Sequence, residues 1–142
     1  MSSEPLTAAD YPLAEKRPEL VRGARGKAFE EVTLDALLDG SVTLEDLRIT
    51  AGALRQQAQI ARSAGRSTLA TNFERAAELV AVPQDVIMRT YELLRPGRAN
   101  AKGDLLTAAA ELREKYNAAA MADFVAEAAE IYEKRGLFNR RY

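Results

Sequence analysis

The stretch Met121-Ala122-Asp123-Phe124-Val125-Ala126-Glu127-Ala128-Ala129-Glu130-Ile131-Tyr132 decides the fold class. Met121, Phe124, Val125, Ala128, Ile131 and Tyr132 recur at spacings of three and four, which places them on one face of a helix. Asp123, Glu127 and Glu130 fall on the other side. Working back toward the N-terminus, Leu105, Ala109, Leu112 and Tyr116 form a second helical stripe. Periodicity alone allows either a bend or a continuous helix between Asn117 and Ala120. Arg95-Pro96-Gly97-Arg98-Ala99-Asn100 is a loop, rich in breakers. Before it, Pro83 suits the first turn of a helix whose inner face is Ile87, Tyr91 and Leu94.

Ser67 opens a further helix with the stripe Leu69, Phe73, Ala76, Ala77 and Val80. Thr50 caps another, carrying Leu54, Ala58 and Ala61, and Gly65 stops it. Thr43-Leu44-Glu45-Asp46 resembles a capping box with Asp46 in the acidic position. Thr33 caps a short helix through Leu38 that Gly40 ends. No strand-like alternation persists and no fixed repeat recurs. The expected fold is all-α: a small helical bundle over residues 33–142, preceded by an extended N-terminal arm over residues 1–32. In the arm, Pro5, Pro12 and Pro18 interrupt helix formation, and Gly23 and Gly26 mark a loop. Tyr11 and Leu13 are expected to lie along another subunit rather than on this chain's own core.

Composition narrows function by exclusion. The 142 residues include no histidine and no cysteine, so imidazole and thiolate chemistry are both missing. Twenty basic residues balance twenty-one acidic ones, unlike the basic excess of a nucleic-acid binder. Neither nucleic acid nor membrane is an expected partner, because no apolar run nears the ~18 residues of a membrane span. Residues 1–10 are polar and acidic, without the layout of a signal peptide, and a cytoplasmic location follows as the expectation. Aromatic residues make up 6%, without tryptophan, and alanine fills much of the apolar fraction. Alanine favours helix but buries little area, so the core is thin and leans on a partner.

Each candidate site meets a plainer reading. Asp123, Glu127 and Glu130 resemble a carboxylate cluster, but helical carboxylate metal sites usually recruit histidine, and a solvated face with Glu130 paired to Lys134 suits them better. Gly23-Ala24-Arg25-Gly26-Lys27 lacks the spacing of a phosphate loop, and Ala28 stands where Ser or Thr is required. Lys134, Arg135, Arg140 and Arg141 are cations at a helix end, where the helix dipole favours them, with subunit contact through Leu137 and Phe138 as a further reading. Arg48, Arg75 and Arg95 border apolar faces and suit carboxylate contacts, across an interface or within the chain. Gln57 and Gln59 flank Ala58 and suit bonds to a neighbouring backbone.

Several words of the sequence, taken in order, resemble a known family. They are Asp10-Tyr11-Pro12-Leu13-Ala14, Asp46-Leu47-Arg48-Ile49, Gln57-Ala58-Gln59-Ile60-Ala61, Asn72-Phe73-Glu74-Arg75-Ala76-Ala77-Glu78-Leu79, Val82-Pro83 and Leu94-Arg95-Pro96. The series resembles the small subunit of coenzyme-B12-dependent diol and glycerol dehydratases, over about residues 10–136. The resemblance implies a non-catalytic helical subunit in a complex with large and medium subunits, two copies of each. Adenosylcobalamin would lie between the large and medium subunits, and this chain would bind no cofactor or metal alone. It implies interface roles for Asp10, Tyr11, Pro12, Leu13, Arg48, Gln57, Asn72, Arg75, Arg95 and Pro96. Gly97 departs from the bulky residue that relatives often carry after the proline. Some relatives also have a longer N-terminal extension linked to enclosure in a bacterial microcompartment, the alternative location. A stand-alone helical adaptor or regulatory protein is the competing expectation.

Overall fold

The computed structural model describes residues 4–138. It is all-α, as periodicity predicts, with α1 (Leu13–Lys16), α2 (Leu34–Leu38), α3 (Leu44–Leu47), α4 (Ala51–Ser63), α5 (Ser67–Leu79), α6 (Gln84–Leu94), α7 (Lys102–Tyr116) and α8 (Ala119–Lys134). Among the described residues the only extended pairing is an isolated bridge between Arg22 and Ala28. Two compact units divide the chain between Val80 and Ala81.

The first unit is built on the α4–α5 hairpin. Ala53 N donates to Thr50 Oγ1 at 3.0 Å, so the expected cap starts α4. Gly65, at φ +75°, turns the chain where a side chain would be strained. Ala58, Ala61 and Ala70 are buried between the helices with Phe73 packed against them. Three small residues let the backbones approach, and the aromatic ring supplies apolar area that alanine lacks. Leu69 and Val80, expected on this stripe, are instead exposed at 40% and 45%.

Residues 4–32 do not run extended. They form 3-10 turns at Ala8–Asp10, Pro18–Leu20 and Phe29–Glu31, with α1 between the first two. Prolines prevent long helices here but not single turns. Leu6 and Leu13 bury with Ile60 of α4, and Leu20 and Val21 pack against that cluster. Leu6 N donates to Gln59 Oε1 at 2.9 Å, and Ala8 N donates to Ser63 Oγ at 2.6 Å. Leu13 therefore faces this chain's own core, because Ile60 on α4 needs an apolar cover that the segment supplies.

The second unit centres on the antiparallel pair α7 and α8. Leu105, Ala108, Ala109 and Leu112 of α7 are buried, as are Ala118, Ala122, Val125 and Ala129 at and within α8. Asn117 adopts φ +53° and ψ +31°, the left-handed C-cap conformation, so the chain bends rather than continuing. Ion pairs mark the antiparallel sense: Lys102 to Glu130 (2.7 Å) and Glu133 (3.1 Å), and Arg113 to Asp123. The acidic face of α8 is exposed, as expected, with Asp123 and Glu130 paired to α7 and Glu130 meeting Lys102 rather than Lys134. The buried stripe of α8 is shifted from the expected one: Phe124 and Ile131 are partly exposed while Ala122 and Ala129 are inside. On α6, Val86 and Thr90 are buried and Tyr91 is exposed, again one position round from expectation. Arg89 donates to Glu111 Oε2 at 2.9 Å, and Tyr132 Oη donates to Leu94 O, fastening α6 to the pair. Arg140 and Arg141 lie outside the described residues.

Candidate partner-binding surface

Residues 29–49 of the first unit expose many large apolar side chains. α2 and α3 are one-turn helices, too short to bury a face of their own. Leu34, Leu37 and Leu38 share one side of α2 at helical spacing, and Leu44 and Leu47 do the same on α3. Leu34, Leu38 and Leu44 are 70%, 77% and 76% exposed. Phe29, Leu37, Leu47 and Ile49 are exposed too, so seven large apolar side chains crowd a stretch of 21 residues facing solvent. Single exposed leucines are ordinary, but a concentration of this kind makes the segment a candidate binding surface.

An ion pair between a half-exposed arginine and a buried carboxylate holds this surface. Val42, 2% exposed, anchors the link between α2 and α3, and its N–H donates to Ala36 O at 2.9 Å. Asp46 of α3 accepts from Arg25 Nε at 2.9 Å and from Arg25 Nη2, and from Thr43 N at 2.9 Å. Arg25 Nη2 also donates to Ser41 O at 3.0 Å. The Arg25 bonds, then the Thr43 N–H, push the Asp46 carboxyl down from 3.8 to about 2. The loop that resembled a phosphate cradle is therefore a clamp on α3. Gly23 is required beside it, since a Cβ there would stand 2.7 Å from the backbone oxygen of Asp46.

A second feature is an apolar recess of about 380 Å³ between the Ala8–Tyr11 turn and the α4–α5 hairpin, lined by Tyr11, Gln57, Ile60, Ala61, Leu69 and Phe73 among others. Two of the expected interface residues, Tyr11 and Gln57, meet here, and Tyr11 is 60% exposed. Asp10 is drawn inward: its Oδ2 accepts from Thr7 N at 2.8 Å and its Oδ1 from Arg17 at 3.1 Å, which lowers its pKa. Pro12 is half-buried beside Leu13. Arg48 lies 3.3 Å from Glu45 on α3. On α5, Asn72 Oδ1 accepts from Arg75 Nη1 at 3.4 Å. Arg95 reaches Glu92 at 3.0 Å in the second unit, with Pro96 exposed beside it. The expected interface residues thus fall on several faces rather than one. Sequence reasoning passed over Leu34, Leu37, Leu38, Leu44 and Leu47; the available signal was five leucines in helices of a single turn.

No cluster of three or more potential metal ligands occurs among the described residues. The recess is lined mainly by apolar side chains, and the sequence has no histidine to offer as an imidazole ligand. No helix among the described residues is long and apolar enough to cross a membrane. The described residues thus form a helical molecule with paired surface charges and several leucines turned to solvent. Comparison with known proteins identifies its family. The family described as "Dehydratase small subunit" matches residues 6–139. Propanediol dehydratase small subunits from Citrobacter freundii and Salmonella typhimurium are each 48% identical over 134 residues, 94% of this chain and 77% of theirs. The chain belongs to the dehydratase small-subunit family.

Proposed function

We propose that this chain is the non-catalytic small subunit of an adenosylcobalamin-dependent diol dehydratase acting on propane-1,2-diol, with glycerol as the alternative substrate. The product would be an aldehyde plus water. Large and medium subunits, two copies of each with two of this chain, complete the proposed assembly. The radical chemistry and the cofactor belong to those partners, and this chain contributes binding surface. Its proposed location is the cytoplasm, free or within a bacterial microcompartment.

The observation that carries this reading is the family match across residues 6–139 at 48% identity to propanediol dehydratase small subunits. The outward leucines and the alanine-rich interior support it, because they describe a chain whose apolar surface is shared with a neighbour. Among the proposed contact residues, Asp10, Pro12, Arg48, Asn72, Arg75, Arg95 and Pro96 would contribute polar and shape complementarity. Tyr11 and Gln57 would accept a partner side chain at the recess. Leu13 would act indirectly, by holding the Tyr11 turn on α4.

The test is a dehydration assay with the large and medium subunits of the same organism, adenosylcobalamin and propane-1,2-diol, with and without this chain. The expected result is activity that requires the chain and is restored by adding it back. Full activity in its absence would contradict the reading and favour a separate helical adaptor.

A further inference from the structure

The exposed leucines of α2 and α3 are interleaved with charge of one sign. From Phe29 to Thr50 the sequence holds six acids and one base. Asp46 is neutralised inside by Arg25, Glu45 is met by Arg48, and Lys27 lies 4.0 Å from Glu31. Glu30 and Asp35 are left as exposed negative charge among the leucines, and Asp39, which accepts from Ser41 N at 2.8 Å, is exposed beside them. This combination selects among possible occupants. A second copy of the chain, related by two-fold symmetry, would set the same acids against each other. Nucleic acid and anionic lipid surfaces are excluded by the same repulsion. A different protein chain, with an apolar groove bordered by Lys or Arg, satisfies both the leucines and the acids.

We propose that the α2–α3 ledge, led by Leu34, Leu38 and Leu44 and bordered by Glu30, Asp35 and Asp39, is where this chain docks on a larger dehydratase subunit, in an apolar groove edged with cations. This rests on the small-subunit reading and names the surface and the partner's chemistry. The ledge is suited to docking because it is pre-ordered. Val42 anchors the link between the helices, and the Arg25–Asp46 pair ties α3 to the loop before it. Little ordering entropy then remains to be lost on binding.

The experiment measures binding of the full chain to its large and medium subunits at low and moderate salt. Three forms are compared: wild type, Leu38→Glu/Leu44→Glu, and Glu30→Lys/Asp35→Lys/Asp39→Lys. Circular dichroism checks that each form keeps its helix content, which is expected because all five side chains are exposed. Wild type should bind, more weakly as salt rises. The leucine variant should bind about a hundredfold more weakly or worse, as when central apolar anchors are lost. The lysine variant should lose roughly tenfold at low salt, with its salt dependence reversed. Wild-type affinity in both variants would overturn the ledge as the docking surface while leaving the small-subunit reading intact. No binding by wild type would overturn both. Self-association of wild type, abolished in the leucine variant, would show the partner to be a second copy and overturn the proposal.

Discussion

Asp46 shows how much a single residue decides here. Its side chain is fully buried, and Arg25, Thr43 and the neighbouring Gly23 are arranged around it. Because its folded pKa lies at about 2, below the ordinary 3.8, its contribution is fully present above about pH 5 and fades as pH falls toward 2. The melting temperature of the wild-type chain should therefore drop between pH 5 and 2, and Asp46→Asn should remove part of that dependence while lowering stability at neutral pH. An unchanged pH profile in the variant would show that the pair is not formed in solution. Gly23→Ala forces a methyl group against backbone, so about 1–3 kcal/mol of stability should be lost in denaturant unfolding. The Thr43–Asp46 capping box was legible in the sequence and forms as expected, but the Arg25 clamp and the need for Gly23 were not. Arg25 and Asp46 are 21 residues apart with no periodicity linking them, and the glycines around Arg25 read only as a loop.

At the scale of elements, starts and stops were legible and faces were less so. Thr33 and Thr50 cap as expected, and Gly40 and Gly65 end helices with positive φ, because side-chain oxygens and missing Cβ atoms act locally. Buried faces depend on the neighbour. On α8 the alanines Ala122 and Ala129 sit inside, while Phe124 and Ile131 lie at the edge, since the close approach of α7 favours small residues at the seam. Hydrophobicity alone ranks Phe124 above Ala122 and so rotates the helix. Leu105 and Leu112 are the largest fully buried side chains there, being 0% and 1% exposed. Leu112→Ala should cost about 2–5 kcal/mol in equilibrium unfolding, whereas Phe124→Ala should cost clearly less. Equal losses would mean that the α7–α8 seam is misassigned. Tyr132→Phe removes the bond to Leu94 O and should cost roughly 0.5–1.5 kcal/mol.

For the whole molecule, class and family were legible because they rest on ordered words such as Asp46-Leu47-Arg48-Ile49 and Asn72 through Leu79 that survive any rotation of a helix. The binding surface was not, because exposure is a property of the fold: Leu13 and Leu38 look alike in sequence, yet one is buried on α4 and the other is 77% exposed. The molecule's economy follows from this contrast. Alanine fills its seams, and many of its large leucines face outward, where another chain can cover them. The most direct measurement is light scattering on a sizing column after co-expression with the large and medium subunits of the same organism. The account predicts one particle containing all three chains in equal amounts. Elution of this chain alone, as a stable monomer, would contradict it.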